Sequence, residues 1–235
     1  MYVANFKLKN AVKSALYKLQ FIRDFFVLHP LREMQRIALA DSVAYVRERM
    51  PLAVGLVNER EMFDMAFERI PGSGLLLEFG VHKGGTINYA AERNPNRQVH
   101  GFDSFEGLPG DWTGVTLPKG AFDRKGRMPS VRSNVTLHKG WFRDTLPAWI
   151  EKNQSPIAFV HIDCDLYEST RDVFDGLGPH LKPGVLLLFD DYFNLPNWQA
   201  HEFRAFQEWV KRANVVYSYL AYARQQVLVR IDSVG

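Results

Sequence analysis

Two stretches of the chain place carboxylates directly behind apolar runs. HIDCDLYEST (161–170) sets Asp163 and Asp165 after IAFVHI, and LFDDYFNLP (188–196) sets Asp190 and Asp191 after VLLLF. If the runs are adjacent strands, the four acids gather at one carboxyl edge, where an open α/β sheet binds its ligands. Carboxylates so crowded repel one another unless a cation compensates them. A donor set of oxygens alone suits a hard ion such as Mg²⁺, with Asp163, Asp190 and Asp191 as its ligands. The plainer role, capping a following helix, stays open for these acids and above all for Asp165. Asp163 or Asp165 is also placed to accept a proton, as is His201 at the start of a later helical stretch, although a solvated helix histidine reads the same way. Cys164 reads as a small buried hydrophobe and His161 as a packed core residue.

A second constellation lies upstream in LEFGVHKGGT (77–86), with Glu78, Gly80, Gly84, Gly85 and Thr86 around a strand-to-helix turn. Glycines there let a ligand approach the backbone, and the helix N-terminus offers free N–H groups. Tight strand-to-helix packing would ask for the same glycines. Glu78 stands where a dinucleotide fingerprint has its first glycine. A carboxylate is a poor neighbour for pyrophosphate and a good one for the ammonium of methionine. About 20 residues further on, Asp103 ends the next apolar run, where an acid accepts hydrogen bonds from ribose hydroxyls. Glu78 and Asp103 together fit an adenosyl amino acid, S-adenosylmethionine, better than NAD. A nicotinamide-dependent Rossmann oxidoreductase is the second reading, and a non-catalytic partner-binding module the third.

The elements that must hold these residues follow from periodicity. LLLEF (75–79), QVHGFD (98–103), VTLHK (135–139), IAFVHID (157–163) and VLLLFD (185–190) read as buried strands separated by helical stretches, an α/β, Rossmann-like, mostly parallel sheet. After a helix over about 197–213, VVYSYLAYA and QQVLVRI are joined too closely for a parallel crossover, so an antiparallel hairpin is expected at the sheet's edge. Residues 104–134 are rich in Gly and Pro and join two strands without a full helix, the mark of a lid or binding loop, or of disorder. Residues 5–50 repeat apolar positions at helical spacing (Val12, Leu16, Leu19, Ile22, Phe26), punctuated by Pro30 and Pro51. The division expected is a helical extension over 1–60 and the cofactor-binding domain over 61–235.

A chain of 235 residues with 46% apolar residues supports one sizeable core and excludes a disordered chain. Its net charge of +3 is uneven: residues 1–50 carry nine Lys or Arg against four acids. So dilute a pattern reads as a solvated helix face rather than a nucleic-acid surface. The single cysteine excludes a disulfide framework and multi-cysteine zinc sites and fits a reducing, cytoplasmic setting. No leader and no stable membrane insertion are expected, since FIRDFFVLHPL is broken by Arg23 and Asp24. The apolar face of the N-terminal helices needs a cover, the catalytic body or a second copy of the chain in a homo-oligomer.

VHGFDSFEGLP, FRDTLP, HIDCDLYEST and LKPGVLLLFDDY, in that order over roughly 75–210, resemble the signature blocks of the macrocin O-methyltransferase family, bacterial enzymes that methylate sugar hydroxyls on natural products. The resemblance implies a class I methyltransferase sheet, S-adenosylmethionine and Mg²⁺, and a small-molecule or glycosylated acceptor. It implies metal ligation by Asp163, Asp190 and Asp191, cofactor contacts from Glu78, Gly80, Thr86, Asp103 and Ser104, and adenine near Trp141, Phe142 and Arg143. The related catechol-type enzymes place a lysine base three residues after the first metal aspartate. Here that position is Leu166.

Overall fold

The computed structural model describes residues 14, 16–20 and 29–235. Its strands are β1 (Val54–Gly55), β2 (Leu75–Phe79), β3 (Val99–Asp103), β4 (Val135–Lys139), β5 (Ile157–Ile162), β6 (Leu186–Phe189), β7 (Val216–Tyr222) and β8 (Val227–Ser233). They form one sheet in the order β1-β7-β8-β6-β5-β2-β3-β4. The helices are α1 (Pro30–Arg49), α2 (Glu59–Arg69), α3 (Gly85–Arg93), α4 (Phe142–Lys152), α5 (Tyr167–Leu177) and α6 (Glu202–Arg212). The run from β6 to β4 is parallel throughout, and β8 pairs antiparallel with both β6 and β7.

Every residue of β2, β5 and β6 is buried, which is why these strands read as unbroken apolar runs. Alternation along each strand sorts their side chains into two layers. Leu77, Phe79, Val160, Ile162, Leu187 and Phe189 pack with Trp149 of α4, Phe174 of α5 and Phe206 of α6. Leu76, Phe159, Leu186 and Leu188 pack with Met62 and Phe63 of α2 and Ile87 of α3 on the other face. The sandwich buries the middle of the sheet in apolar side chains and brings the carboxylates that follow β5 and β6 together at the strand ends.

Three sequence expectations are refined. The hairpin is not the edge: β8 lies inside, and the outer side of β7 is covered by β1, a parallel strand of two residues, too short to carry a period. The helix expected over 197–213 starts as a 3₁₀ turn at Trp198–Ala200, breaks at His201 and resumes as α6. Residues 104–134 do lack a helix, yet they are packed around a small core of their own, Leu108 and Trp112 against Leu166.

Residues 14 and 16–20 are helical; Val12, Ile22 and Phe26 lie outside the described residues. Pro30 occupies the first turn of α1, where its missing N–H costs nothing, and α1 stops before Pro51. Its inner face is fixed by Tyr45 against Trp198 and Phe203, and by Ser42, whose hydroxyl accepts from the Asn194 N–H. Met34, Ile37, Leu39 and Val43 of the same helix are exposed. Among the described residues no helix is long and apolar enough to cross a membrane.

Candidate active site

The backbone itself brings the strand ends level. Asp163 N–H donates to the Phe79 carbonyl at the end of β2, and Asp190 N–H to the Ile162 carbonyl at the end of β5. Gly80 follows β2 with φ +94°, and a Cβ there would lie 1.8 Å from the Asp163 carbonyl oxygen. That contact, as much as any ligand, demands glycine at this position.

Behind these ends the carboxylates of Asp163, Asp165 and Asp191 converge, with oxygens within 4.8 Å of one another. Asp165 and Asp191 are buried and Asp163 is half-buried. Burial first and the charge of Asp190 next push the Asp163 carboxyl well above the usual carboxylate range. Burial and then Asp191 do the same to Asp165, and burial and then Asp190 raise Asp191 to about 7. Among the described residues none of the four acids has a lysine or arginine at ion-pair distance. The donor set is all oxygen and short of positive charge, which fits a hard divalent cation.

Consecutive residues at a strand end point to opposite faces, and this separates Asp190 from Asp191. Asp191 turns to the α6 side with Asp165. The carboxylate of Asp190 accepts from the Gln226 side chain at 3.0 Å and bears electrostatically on His161 and Glu59. Gln225, also at the β7–β8 turn, approaches Asp191 at 3.5 Å.

Glu78 lies under the acids on the α3 side and is buried with both oxygens engaged. Thr86 Oγ1 donates to one at 2.8 Å and His161 Nδ1 meets the other at 3.2 Å. Glu78 and His161 face each other across the β2–β5 register. Burial pulls the His161 pKa down, but the hydrogen bond and charge of Glu78 outweigh it and the net shift is upward. His161 is thus the partner of Glu78 rather than a plain core residue, and its Nε2 has no partner among the described residues.

Asp103 ties the glycine turn to β3. One of its oxygens accepts from the Val81 and His82 N–H groups at 2.8 and 2.7 Å, the other from the Phe105 N–H at 2.6 Å. A carboxylate offers about four acceptor sites, so one remains for a ligand hydroxyl. Asp103 and Ser104 line a cavity of about 260 Å³ together with Gly80, Trp141, Phe142, Arg143, Asp163 and Asp165. Glu78, Gly84, Thr86 and His201 are not among its lining residues. Gly84 instead starts α3 at φ +79°, with Pro129 over it.

His201 is buried and is not a solvated helix residue. It caps α6, and its Nε2 stands 2.9 Å from the Thr113 carbonyl. A carbonyl only accepts, so Nε2 carries the proton and pins the 104–134 loop. Leu166, where the catechol-type lysine would stand, is the apolar peg under Leu108 and Trp112 of the same loop. Glu202 was not singled out from the sequence. It is fully buried and accepts from the backbone N–H groups of Cys164, Asp165 and Asp191. In sequence it looks like an ordinary acid in a first helical turn; only the tertiary fold brings it to the strand ends.

Comparison with known proteins shows similarity to methyltransferases. Residues 77–192 match the family described as a methyltransferase domain. The 8-demethyl-8-(2,3-dimethoxy-alpha-L-rhamnosyl)-tetracenomycin-C 4'-O-methyltransferase of Streptomyces olivaceus is 34% identical over 149 residues, 52% of this chain and 54% of that protein. The demethyldecarbamoylnovobiocin O-methyltransferase of Streptomyces niveus is 32% identical over 158 residues, 57% of each. The matched stretch thus spans about half the length of these curated relatives. The crystal structure of CalS11, a calicheamicin methyltransferase, superposes with a TM-score of 0.58 at 24% identity, over 86% of this chain and 93% of that one, and shares the Rossmann-like class I methyltransferase fold.

Proposed function

We propose that the chain, whose residues 77–192 match the methyltransferase-domain family, transfers a methyl group from S-adenosylmethionine to a hydroxyl, of a sugar on a natural product or glycan, with Mg²⁺ at the carboxylate cluster. One juxtaposition carries the reading. A single cavity is bounded on one side by Asp103, Ser104 and the Trp141–Arg143 turn, suited to an adenosyl group, and on the other by Asp163 and Asp165. The sugar acceptor is favoured by the names of the relatives. The nicotinamide reading lacks support, because an acid stands in place of the first fingerprint glycine and carboxylates crowd the strand ends.

The chemistry is an in-line displacement. The acceptor oxygen attacks the methyl carbon, the carbon–sulfur bond breaks with its electron pair going to sulfur, and the hydroxyl proton must leave. Mg²⁺, when bound, supplies a positive charge that lowers the hydroxyl pKa. Asp163, Asp190 and Asp191 would hold it, Asp163 standing between the other two, since it converges with Asp191 and feels Asp190 as its largest neighbouring charge. Asp165, in the cavity wall and raised by burial, is then the residue placed to accept the proton. The loop packed over Leu166 would form the apolar wall on this side of the cavity.

Exhaustive chelation should abolish methyl transfer to a sugar acceptor from labelled cofactor, and added Mg²⁺ should restore it. Full turnover in chelator would leave a metal-independent methyltransferase and retire the cation.

A further inference from the structure

Glu202 does work that no sequence motif announces. It is the first residue of α6 and fully buried. Its Oε1 accepts from the N–H groups of Cys164 at 3.0 Å and Asp165 at 3.2 Å, and its Oε2 from the N–H of Asp191 at 3.2 Å. One side chain therefore bridges the turn after β5 and the turn after β6, the two segments that carry all four acids. The first of these turns is strained. Asp165 has φ +61°, a left-handed conformation that a non-glycine residue holds only where its surroundings fix it. Two of the N–H groups on Glu202 flank that distortion.

We propose that Glu202 is the positioning residue of the carboxylate cluster, a brace that fixes the spacing of Asp163 and Asp165 against Asp191 so that the cluster closes on a divalent cation. This rests on the cation reading above. The alternative is that Glu202 only satisfies three buried N–H groups and adds stability. The two accounts separate because a brace for a cation site acts on metal affinity, whereas a fold-wide contribution acts on every ligand alike.

Glu202→Gln divides the brace. Its amide oxygen can keep the Cys164 and Asp165 N–H groups, while its NH₂ opposes the N–H of Asp191, donor against donor. The full chain, native and variant, is titrated with Mn²⁺ alone, followed by its paramagnetic resonance signal, and separately with S-adenosylhomocysteine by calorimetry. The expected result is Mn²⁺ affinity lowered about tenfold or more with S-adenosylhomocysteine affinity unchanged within about twofold. Glu202→Asp, which keeps the charge on a shorter arm, should lie between. Equal Mn²⁺ affinity in native and E202Q protein overturns the brace, as does a parallel loss of both ligands in E202Q and E202D. A native chain that binds no Mn²⁺ overturns the cation reading and the proposal with it.

Discussion

Two polar clusters among the described residues, one of tyrosines and one of carboxylates, are built on opposite principles. On one side Tyr219 is a hub: its hydroxyl lies 2.6 Å from those of Tyr45 and Tyr192 and 3.1 Å from that of Tyr217. Gln207 donates to Tyr192 and Tyr217. No carboxylate or cation belongs to this cluster, burial raises the Tyr192 and Tyr219 pKa, and each of the four hydroxyls has a partner inside the fold. At the strand ends the carboxylates have one another, and burial with mutual repulsion drives their pKa values up. Volume does not mark the functional cluster. The hollow lined by Tyr45, Tyr217 and Tyr219 is about 540 Å³, larger than the cavity beside Asp163 and Asp165. What marks it is unmet electrostatic demand, which strains the fold until a ligand satisfies it.

If that contrast is right, equivalent deletions in the two clusters should have opposite consequences. Asp191→Asn should lower kcat on the order of a hundredfold, because it removes a charged oxygen ligand of the cation at little change of shape. The same change should leave the thermal midpoint of chelated protein equal or higher, since it relieves a like-charge contact. Tyr219→Phe should do the reverse. It removes the hub of three hydrogen bonds and should cost about 2–3 kcal/mol of stability, read from denaturant unfolding, with kcat within about twofold of native. A Tyr219→Phe protein of native stability, or an Asp191→Asn protein of native activity, would break the comparison.

The same contrast explains how far the sequence could be read. Strands buried on both faces announce themselves by composition, so LLLEF ends where β2 ends; VTLHK also bounds β4, but that edge strand is only partly covered and not the buried strand expected. Asp103, singled out by its distance behind the glycine turn, and Trp141, Phe142 and Arg143, singled out by a resemblance, line one cavity. Adjacency hides one difference between Asp190 and Asp191: strand alternation sets Asp190 beside Gln226 and His161 and Asp191 beside Asp165. The rule that separates them was available from β6 itself. Glu202, Gln226 and the pairing of His161 with Glu78 were not legible, because each depends on which distant element the fold sets against a strand end. The two-residue β1 carried no pattern at all.

The smallest expected effect is on pH dependence, and it again divides the clusters. Burial raises the pKa of Tyr45, Tyr192 and Tyr219 above the ordinary tyrosine value, so these three contribute no slope of stability in the acid and neutral range. Asp191 differs: its folded pKa is raised from 3.8 to about 7. Between about pH 4 and pH 7 the folded, metal-free chain holds a proton that the unfolded chain has released. The unfolded state then binds fewer protons than the native one, so stability falls as pH rises through this window. The raised pKa values of Asp165 and Asp163 act in the same direction. Lowered histidines such as His100, at about 4, work against it below pH 6.5, so the signal is the difference between native and Asp191→Asn protein rather than either curve alone. In chelator, native protein should lose roughly 1–2 kcal/mol relative to Asp191→Asn between pH 5 and pH 7, seen as a few degrees in the thermal midpoint. Mg²⁺ should flatten the native curve, because a bound cation takes the place of the protons. A difference curve without slope, with and without Mg²⁺, would mean that Asp191 is ionised in the folded chain without help, and that the strand ends carry no more electrostatic demand than the tyrosines do.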